Sequence, residues 1–325
     1  MKKIYVRALF LLAIVLVAAT VWGIFAAYAR PLGPRLEISQ NQPAAMAAAG
    51  LLQANPPQAS EVCGQSGKLR LLALGSDRAQ GVQPFGADGV RFIQVDFSNR
   101  KVTIAAFSRD LEVKIFKGLA DKSIKRTPLG LSYHLKYIET AGSDKDKAMA
   151  ATNFMAELLY DNYKLRPDHY LAVELQHFDS LVDAVGGITI HNPSAFVSDN
   201  GTHFAAGSIN LTGELAAEYM RTFEPGGDMA RLQRQNVVMK GLREKLVAPG
   251  VVLNLAELYE RFGQVMLTDL SLEQFNSLDC ILREVPKEEI KTYEIGPDER
   301  VIGPDGKVIE QPKSLQAILN NLFKD

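Results

Sequence analysis

The stretch GGDMARLQRQ (226–235) places an aspartate, two arginines and two glutamines directly after a glycine pair, at the head of a helical pattern spanning 228–246. With about 100° per residue and Asp228 set at zero, Leu232, Met239, Leu242 and Leu246 fall within about 40° of one direction, the buried stripe. Arg231 at about 300° and Gln235 at about 340° point the same way as Asp228. The first two turns aim charge where later turns aim leucine, and buried charge requires a partner or a charged ligand. Three other clusters repeat the theme: Gly75-Ser76-Asp77-Arg78, Asp88 in PFGADGV, and Ser108-Arg109-Asp110; Arg221 stands just upstream of the glycine pair. Guanidinium offers bidentate donors matched to phosphate, a helix start adds unpaired N–H groups, and carboxylates hold a hard divalent cation. The set points to a phosphate or pyrophosphate with a metal. For any single residue the plainer reading stands beside it: Asp228 as an N-cap, Arg231 as half of an ordinary ion pair.

These clusters need a scaffold that gathers them. KLRLLALGSD (68–77), GVRFIQVDF (89–97) and KVTIAAF (101–107) read as strands, with Ser98-Asn99-Arg100 as a hairpin turn. A helix over 144–160 follows, carrying Phe154, Met155 and Leu158; then a strand at 169–175, a helix at 176–185, the Gly186-Gly187 break and a strand at 188–192. Helices are expected near 212–220, 228–246, 254–264 and from Ser271, where Ser271 and Gln274 form a capping-box pair; a strand at 291–296 and a helix at 313–323 end the chain. Mixed α and β without internal repeats predicts one three-layer α/β/α domain over 68–325, with a mixed central sheet. The polar clusters fall at strand ends or helix starts, where such sheets bind ligands. Phe154, Met155, Leu158, Leu171, Val173 and Leu181 could line a lipid tunnel, but plain core is the better reading. Arg91, within a strand, reads as a solvated side chain.

Net charge is −1 and 22% of residues are charged, so no basic face marks a nucleic-acid binder. Ala8 to Tyr28 carries no charge and follows Lys2, Lys3 and Arg7, predicting a membrane-spanning helix with the N-terminus in the cytoplasm and the rest outside. Ala27-Tyr28-Ala29 also has the form of a signal-peptide cleavage site; the length of the apolar run favours a retained anchor, and both readings export the domain. Residues 1–29 are thus a cytoplasmic tip and anchor, and 30–67, rich in Pro, Ala, Gln and Gly, a tether. Cys63 and Cys280 both lie beyond the apolar run; a disulfide and two separate thiols are equally open. His169, His177, His191 and His203 lack metal-ligand spacing, Ser76 has no partnered base, and His134 reads as structural.

The runs LLALGSD, GADGV, VTIAAFSRDLEV, HYLAVELQHFDSLVDAVGGITI and LTGELAAEYMRTF...GGDMARLQRQ resemble, in order and spacing, the LytR-CpsA-Psr family over roughly 68–246, with a helix-strand tail at 247–325 like that of some members. The resemblance implies a membrane-anchored envelope enzyme that transfers a glycopolymer from a polyprenyl pyrophosphate carrier to peptidoglycan through a phosphodiester, with Mg²⁺ at the pyrophosphate. By position, Asp77 and Asp88 match acids associated with metal and acid/base work. Arg109 matches the arginine of a PRD-type motif, with Ser108 where proline is usual. Arg221 matches the first arginine of a YVRxR motif, and Asp228, Arg231, Arg234 and Gln235 match GDxxRxxRQ. Asp77, Asp88 and Arg109 are the implied catalytic set, with Asp77 and Asp88 on the metal. Arg78, Arg109, Arg221, Asp228, Arg231, Arg234 and Gln235 are the implied pyrophosphate set. Two positions depart from the pattern, Gly86 and Phe223 standing where the family keeps arginines; Arg78 or Arg91 are candidates to compensate. The alternatives are an envelope protein that holds polyprenyl phosphates without turnover, and an envelope-linked regulator, which near-neutral charge and an external domain disfavour.

Overall fold

The computed structural model describes residues 63–77, 86–174, 177–248, 266–309 and 314–324. The expected membrane span, residues 30–62 of the expected tether, Arg78, and the helix expected at 254–264 lie outside the described residues. Within the described residues no helix is long and apolar enough to cross a membrane.

The central sheet contains β1 (Lys68–Asp77), β2 (Gly86–Asp96), β3 (Lys101–Phe107), β6 (His169–Glu174), β11 (Met266–Thr268), β12 (Ile290–Ile295) and β13 (Val301–Ile302). Their order is β11-β6-β1-β2-β3-β12-β13. β1 runs parallel to β6 and β3 to β12, while the β1–β2 and β2–β3 pairs are antiparallel, so the sheet is mixed. The β2–β3 hairpin turns where expected, with Arg100 at φ 52.

Alternation along the strands buries both faces. Leu69, Leu71, Val95 and Val102 pack on one side against Ile281 of α6 (Leu272–Glu284), whose Ser271/Gln274 capping box forms as the sequence predicts. On the other side lie α1 (Leu129–Glu139), α2 (Asp144–Tyr163) and α7 (Leu315–Leu322). Phe107 stacks on Tyr163 and Phe92 meets Phe323 edge-on at 5.0 Å. Helices on both faces make the expected α/β layering. Phe154, Met155 and Leu158 are buried core residues of α2.

A second apolar cluster gathers α3 (Phe178–Ala184), β7 (Ile188–Asn192), the β8 (Phe196–Val197) and β9 (His203–Phe204) pair, β10 (Gly207–Leu211), α4 (Gly213–Arg221) and α5 (Gly227–Leu246) around Tyr219. A short pair, β4 (Glu112–Lys114) and β5 (Arg126–Pro128), leads into α1. A disulfide joins Cys63 to Cys280, tying the approach to β1 onto α6.

Two expectations are corrected on α5. Leu232 and Leu242 are buried as expected, but Met239 is 44% exposed, because the inward seam also takes in Arg231, Arg234, Gln235, Val238 and Gly241. The helix has no side-chain N-cap: Gly226 caps it, and Asp228 lies inside its first turn. Gly226 (φ 99) and Gly227 (φ 65) both take left-handed backbone, which is what the glycine pair supplies.

Candidate active site

Three elements deliver the charged groups to one place. β2 is irregular there: Gly75 pairs with Gly89 but Ser76 pairs with Ala87, so Asp88 is the extra residue of a β-bulge. A bulge kinks the strand and re-aims the inserted side chain. β3 ends at Phe107, and Ser108 and Arg109 follow it, with the Arg109 carbonyl accepting from Gly130 N at 2.8 Å. α5 brings Asp228, Arg231 and Gln235 on its inward seam.

Asp88 Oδ1 accepts from Arg109 Nη1 in a short contact and from Arg231 Nη1 at 3.3 Å. Arg231 Nη2 also donates to Asp228 Oδ1. The other oxygen of Asp228 accepts from Ser108 Oγ and from the Arg109 backbone N–H, the latter at 3.1 Å. The Asp88 carbonyl accepts from Gln235 Nε2 at 3.2 Å. Side chains of Arg231 and Asp228 are 7% and 5% exposed, against 31% for Arg109, so the inner pair is desolvated and Arg109 is the solvent-side cation. Asp228 therefore orients Arg231 and the Ser108-Arg109 corner, which decides between the two readings of its role.

Asp110 lies beside this cluster, its Oδ1 3.6 Å from Arg109 Nε. Burial and the neighbouring Asp228 carboxylate raise its pKa, against the pull of Arg109 and Arg231. Three carboxylates thus face two guanidiniums, a balance that a cation would correct. Among the described residues no three acid, His or Cys groups converge as a metal cage. Mg²⁺ needs none, since one or two carboxylates and substrate phosphates suffice. Both arginines bind Asp88 through Oδ1, and Oδ2 accepts no hydrogen bond from a described residue, so the donor set fits a hard cation. Asp77 ends β1 with its backbone paired to Gly86; its side chain lies outside the described residues.

Other sequence-derived candidates stand elsewhere. Arg234 points to the loop between α4 and α5: its Nη2 donates to the Thr222 carbonyl at 2.6 Å and the Phe223 carbonyl at 3.2 Å, its Nη1 to the Pro225 carbonyl at 3.3 Å. Its guanidinium also lies 5.0 Å from the Phe196 ring centroid. That removes it from the cluster at Asp88, because these carbonyls engage both Nη groups and the ring covers one face. Arg221 is the last residue of α4 and half-buried, one residue before that loop. His134 is buried in α1, where desolvation lowers its pKa and favours the neutral ring.

Arg91 is not the solvated side chain that its strand position suggests. It is half-buried, and Nη2 donates to Asn236 Oδ1 at 3.0 Å and Gln235 Oε1 at 3.4 Å. Asn236 Nδ2 in turn donates to Glu294 Oε1 at 2.8 Å. Burial lowers the Arg91 pKa to about 10, opposed by the Glu294 carboxylate. The signal was present in the sequence: Arg91, Ile93 and Val95 share one face at period two.

Gly86 is likewise more than a missing arginine. A Cβ built there would lie 2.6 Å from the Gly130 carbonyl oxygen, where strand and helix backbones approach each other. Phe223, by contrast, is 42% exposed.

A family model, the LytR_cpsA_psr family, matches residues 38–324. The chain belongs to the LytR-CpsA-Psr family. Its relatives include a polyisoprenyl-teichoic acid–peptidoglycan teichoic acid transferase TagU of Enterococcus faecalis, 30% identical over 57% of this chain and 67% of that protein. The Bacillus anthracis protein of the same name is 26% identical over 70% of each chain. In fold, the chain resembles the crystal structure of B. subtilis TagV, with a TM-score of 0.58 at 20% identity over 79% of this chain and 98% of that one.

Proposed function

We propose that this protein transfers a glycopolymer from a polyprenyl pyrophosphate carrier to peptidoglycan, forming a phosphodiester. The observation that carries the reading is Asp88, held at a β-bulge between Arg109 and Arg231, in a chain whose relatives are named as teichoic acid transferases. The peptidoglycan hydroxyl attacks the sugar-linked phosphorus and Asp88, the residue inserted at the bulge, accepts its proton. Arg109 and Arg231 leave Asp88 to bind phosphoryl oxygens, where their fixed forks stabilise charge on the departing polyprenyl phosphate. Asp228 holds Arg231 in place and Gln235 holds the bulge. Mg²⁺, bound by Asp88 with Asp77, would supply neutralisation of the pyrophosphate.

The same reading places the domain outside the cytoplasm, tethered through the expected span at Ala8 to Tyr28. The Cys63–Cys280 disulfide supports an oxidising compartment. A second reading, a polyprenyl-phosphate binder without turnover, is favoured by Gly86, whose contact with Gly130 leaves no room for the family's arginine.

The test is transfer of a labelled lipid-linked glycan to peptidoglycan fragments by the full chain, with and without Mg²⁺. Transfer that requires Asp88 supports the enzyme. Lipid binding with no transfer under any divalent cation selects the binder, and no lipid in native mass spectrometry removes both.

A further inference from the structure

We infer that Arg91 is a positioning residue of this site, acting through Gln235 on the backbone of Asp88. The inference rests on the transfer reading for its catalytic meaning, and on geometry alone for its structural one. The Gln235 amide makes two contacts that depend on its orientation: Nε2 donates to the Asp88 carbonyl at 3.2 Å, and Oε1 accepts from Arg91 Nη2 at 3.4 Å. Rotated by half a turn, the amide would set its NH₂ against a guanidinium and its oxygen against a carbonyl, both repulsive. The cation at position 91 therefore fixes which way Gln235 faces.

Arg91 is itself fixed. Asn236 Oδ1 accepts from the same Nη2 at 3.0 Å, Asn236 is held by Glu294 Oε1, and Gln233 Nε2 holds Glu294 Oε2 at 3.2 Å. The path runs from β12 across α5 to β2 and ends on the carbonyl of Asp88, the residue that the bulge inserts. An extra residue in a strand has no ladder partner, so a side-chain donor must set its conformation. The aim of the Asp88 carboxylate between Arg109 and Arg231 follows from that conformation. Arg91 thus touches Asp88 only through Gln235, whereas Arg109 and Arg231 bind its carboxylate directly.

The experiment is a double-mutant cycle on the full chain with Arg91→Met, Gln235→Met and both together. If Arg91 acts through Gln235, each single variant lowers kcat about tenfold while KM for the lipid-linked glycan moves less than about threefold, and the double variant is no slower than Gln235→Met alone. Arg91→Lys keeps the charge without the planar fork and should lose only about threefold. Multiplied losses in the double variant, or wild-type kcat in Arg91→Met, overturn the inference while leaving the transfer reading intact. A second readout needs no turnover: amide exchange over 86–92 in lipid-free protein should rise equally in both single variants and no further in the double. If wild type proves to transfer nothing, that exchange pattern decides the inference, and unchanged exchange in Arg91→Met and Arg91→Lys overturns it.

Discussion

Arg231 and Arg234 lie one turn apart on α5, and both are buried, yet their partners differ in kind. Arg231 faces two carboxylates, Asp88 and Asp228, while Arg234 faces three backbone carbonyls and the ring of Phe196. A guanidinium on carboxylates can exchange one anion for another when phosphate arrives. A guanidinium on carbonyls cannot leave them without unfolding the loop it closes. The same side chain is thus a ligand group in one turn and a structural clasp in the next, and the difference comes from what the fold brings opposite each.

The comparison breaks or holds on two alanine variants. Arg231→Ala strips Asp228 of its buried cation and should cost about 3–5 kcal/mol of stability, the range for opening a buried ion pair. In the folded fraction it should weaken polyprenyl pyrophosphate binding by about 1.5–3 kcal/mol, the range for a hydrogen bond to a charged group. Arg234→Ala should lose about 1–3 kcal/mol of stability through unsatisfied carbonyls and leave lipid binding unchanged. Denaturant unfolding and lipid titration on both variants separate the two. If Arg234→Ala impairs binding as strongly as Arg231→Ala, the clasp assignment is wrong.

Asp88→Asn sharpens the picture at the other end of the same ion pair. The amide keeps an oxygen for Arg109 and Arg231 but cannot take a proton, so transfer should fall about 100-fold or more while lipid binding survives. Transfer at the wild-type rate would remove Asp88 as the base.

How much of this was legible in sequence depends on whether the controlling contact is local. β1 and β3 appear at the residues that alternation and flanking turns mark, and α6 starts at its capping box, because each signal lies within a few residues of its effect. The inward charge of Asp228, Arg231 and Gln235 was readable from helical angle alone. α1 was not: Pro128 precedes it, Gly130 sits in its first turn, and its buried face takes in Ser132 and His134 while Ile138 is exposed, which hides the period. Arg234 differs from Arg231 by 60° on a helical wheel at about 100° per residue, too little to foretell that a loop folds back onto one and a strand onto the other. The bulge at Asp88 was also hidden, since a period of two carries no mark of an inserted residue.

Gly86 shows the same limit, and its consequence is opposite to a reading of the motif alone. On sequence, Gly86→Arg returns a missing cation. In the fold, any Cβ at 86 meets the Gly130 carbonyl oxygen at 2.6 Å, a backbone atom that cannot swing aside as a side chain would. The variant should lose about 1–3 kcal/mol as overpacking does, and transfer should drop because the bulge two residues on is displaced. A stable, faster Gly86→Arg enzyme would show that β2 and α1 part more easily than their contact suggests.

Phe223→Arg should give the smallest effect and makes the cleanest contrast with Gly86. Phe223 is 42% exposed, and its fixed contact is through the backbone, whose N–H donates to Asp199 Oδ2 at 3.1 Å. That bond survives any side chain, so stability should stay within about 0.5 kcal/mol of wild type. The new cation would stand on the loop that Arg234 clasps, just ahead of the α5 N-terminus. An exposed charge near a ligand contributes about 0–1 kcal/mol, so pyrophosphate affinity should rise by up to about fivefold. Because the charge is solvent-exposed, the gain should shrink as ionic strength rises past about 0.1 M, where screening shortens to about 10 Å. Titration of the carrier lipid at low and high salt reads both features. Affinity unchanged at low salt would place residue 223 away from the bound pyrophosphate, and leave Arg109 and Arg231 as the cations that meet it.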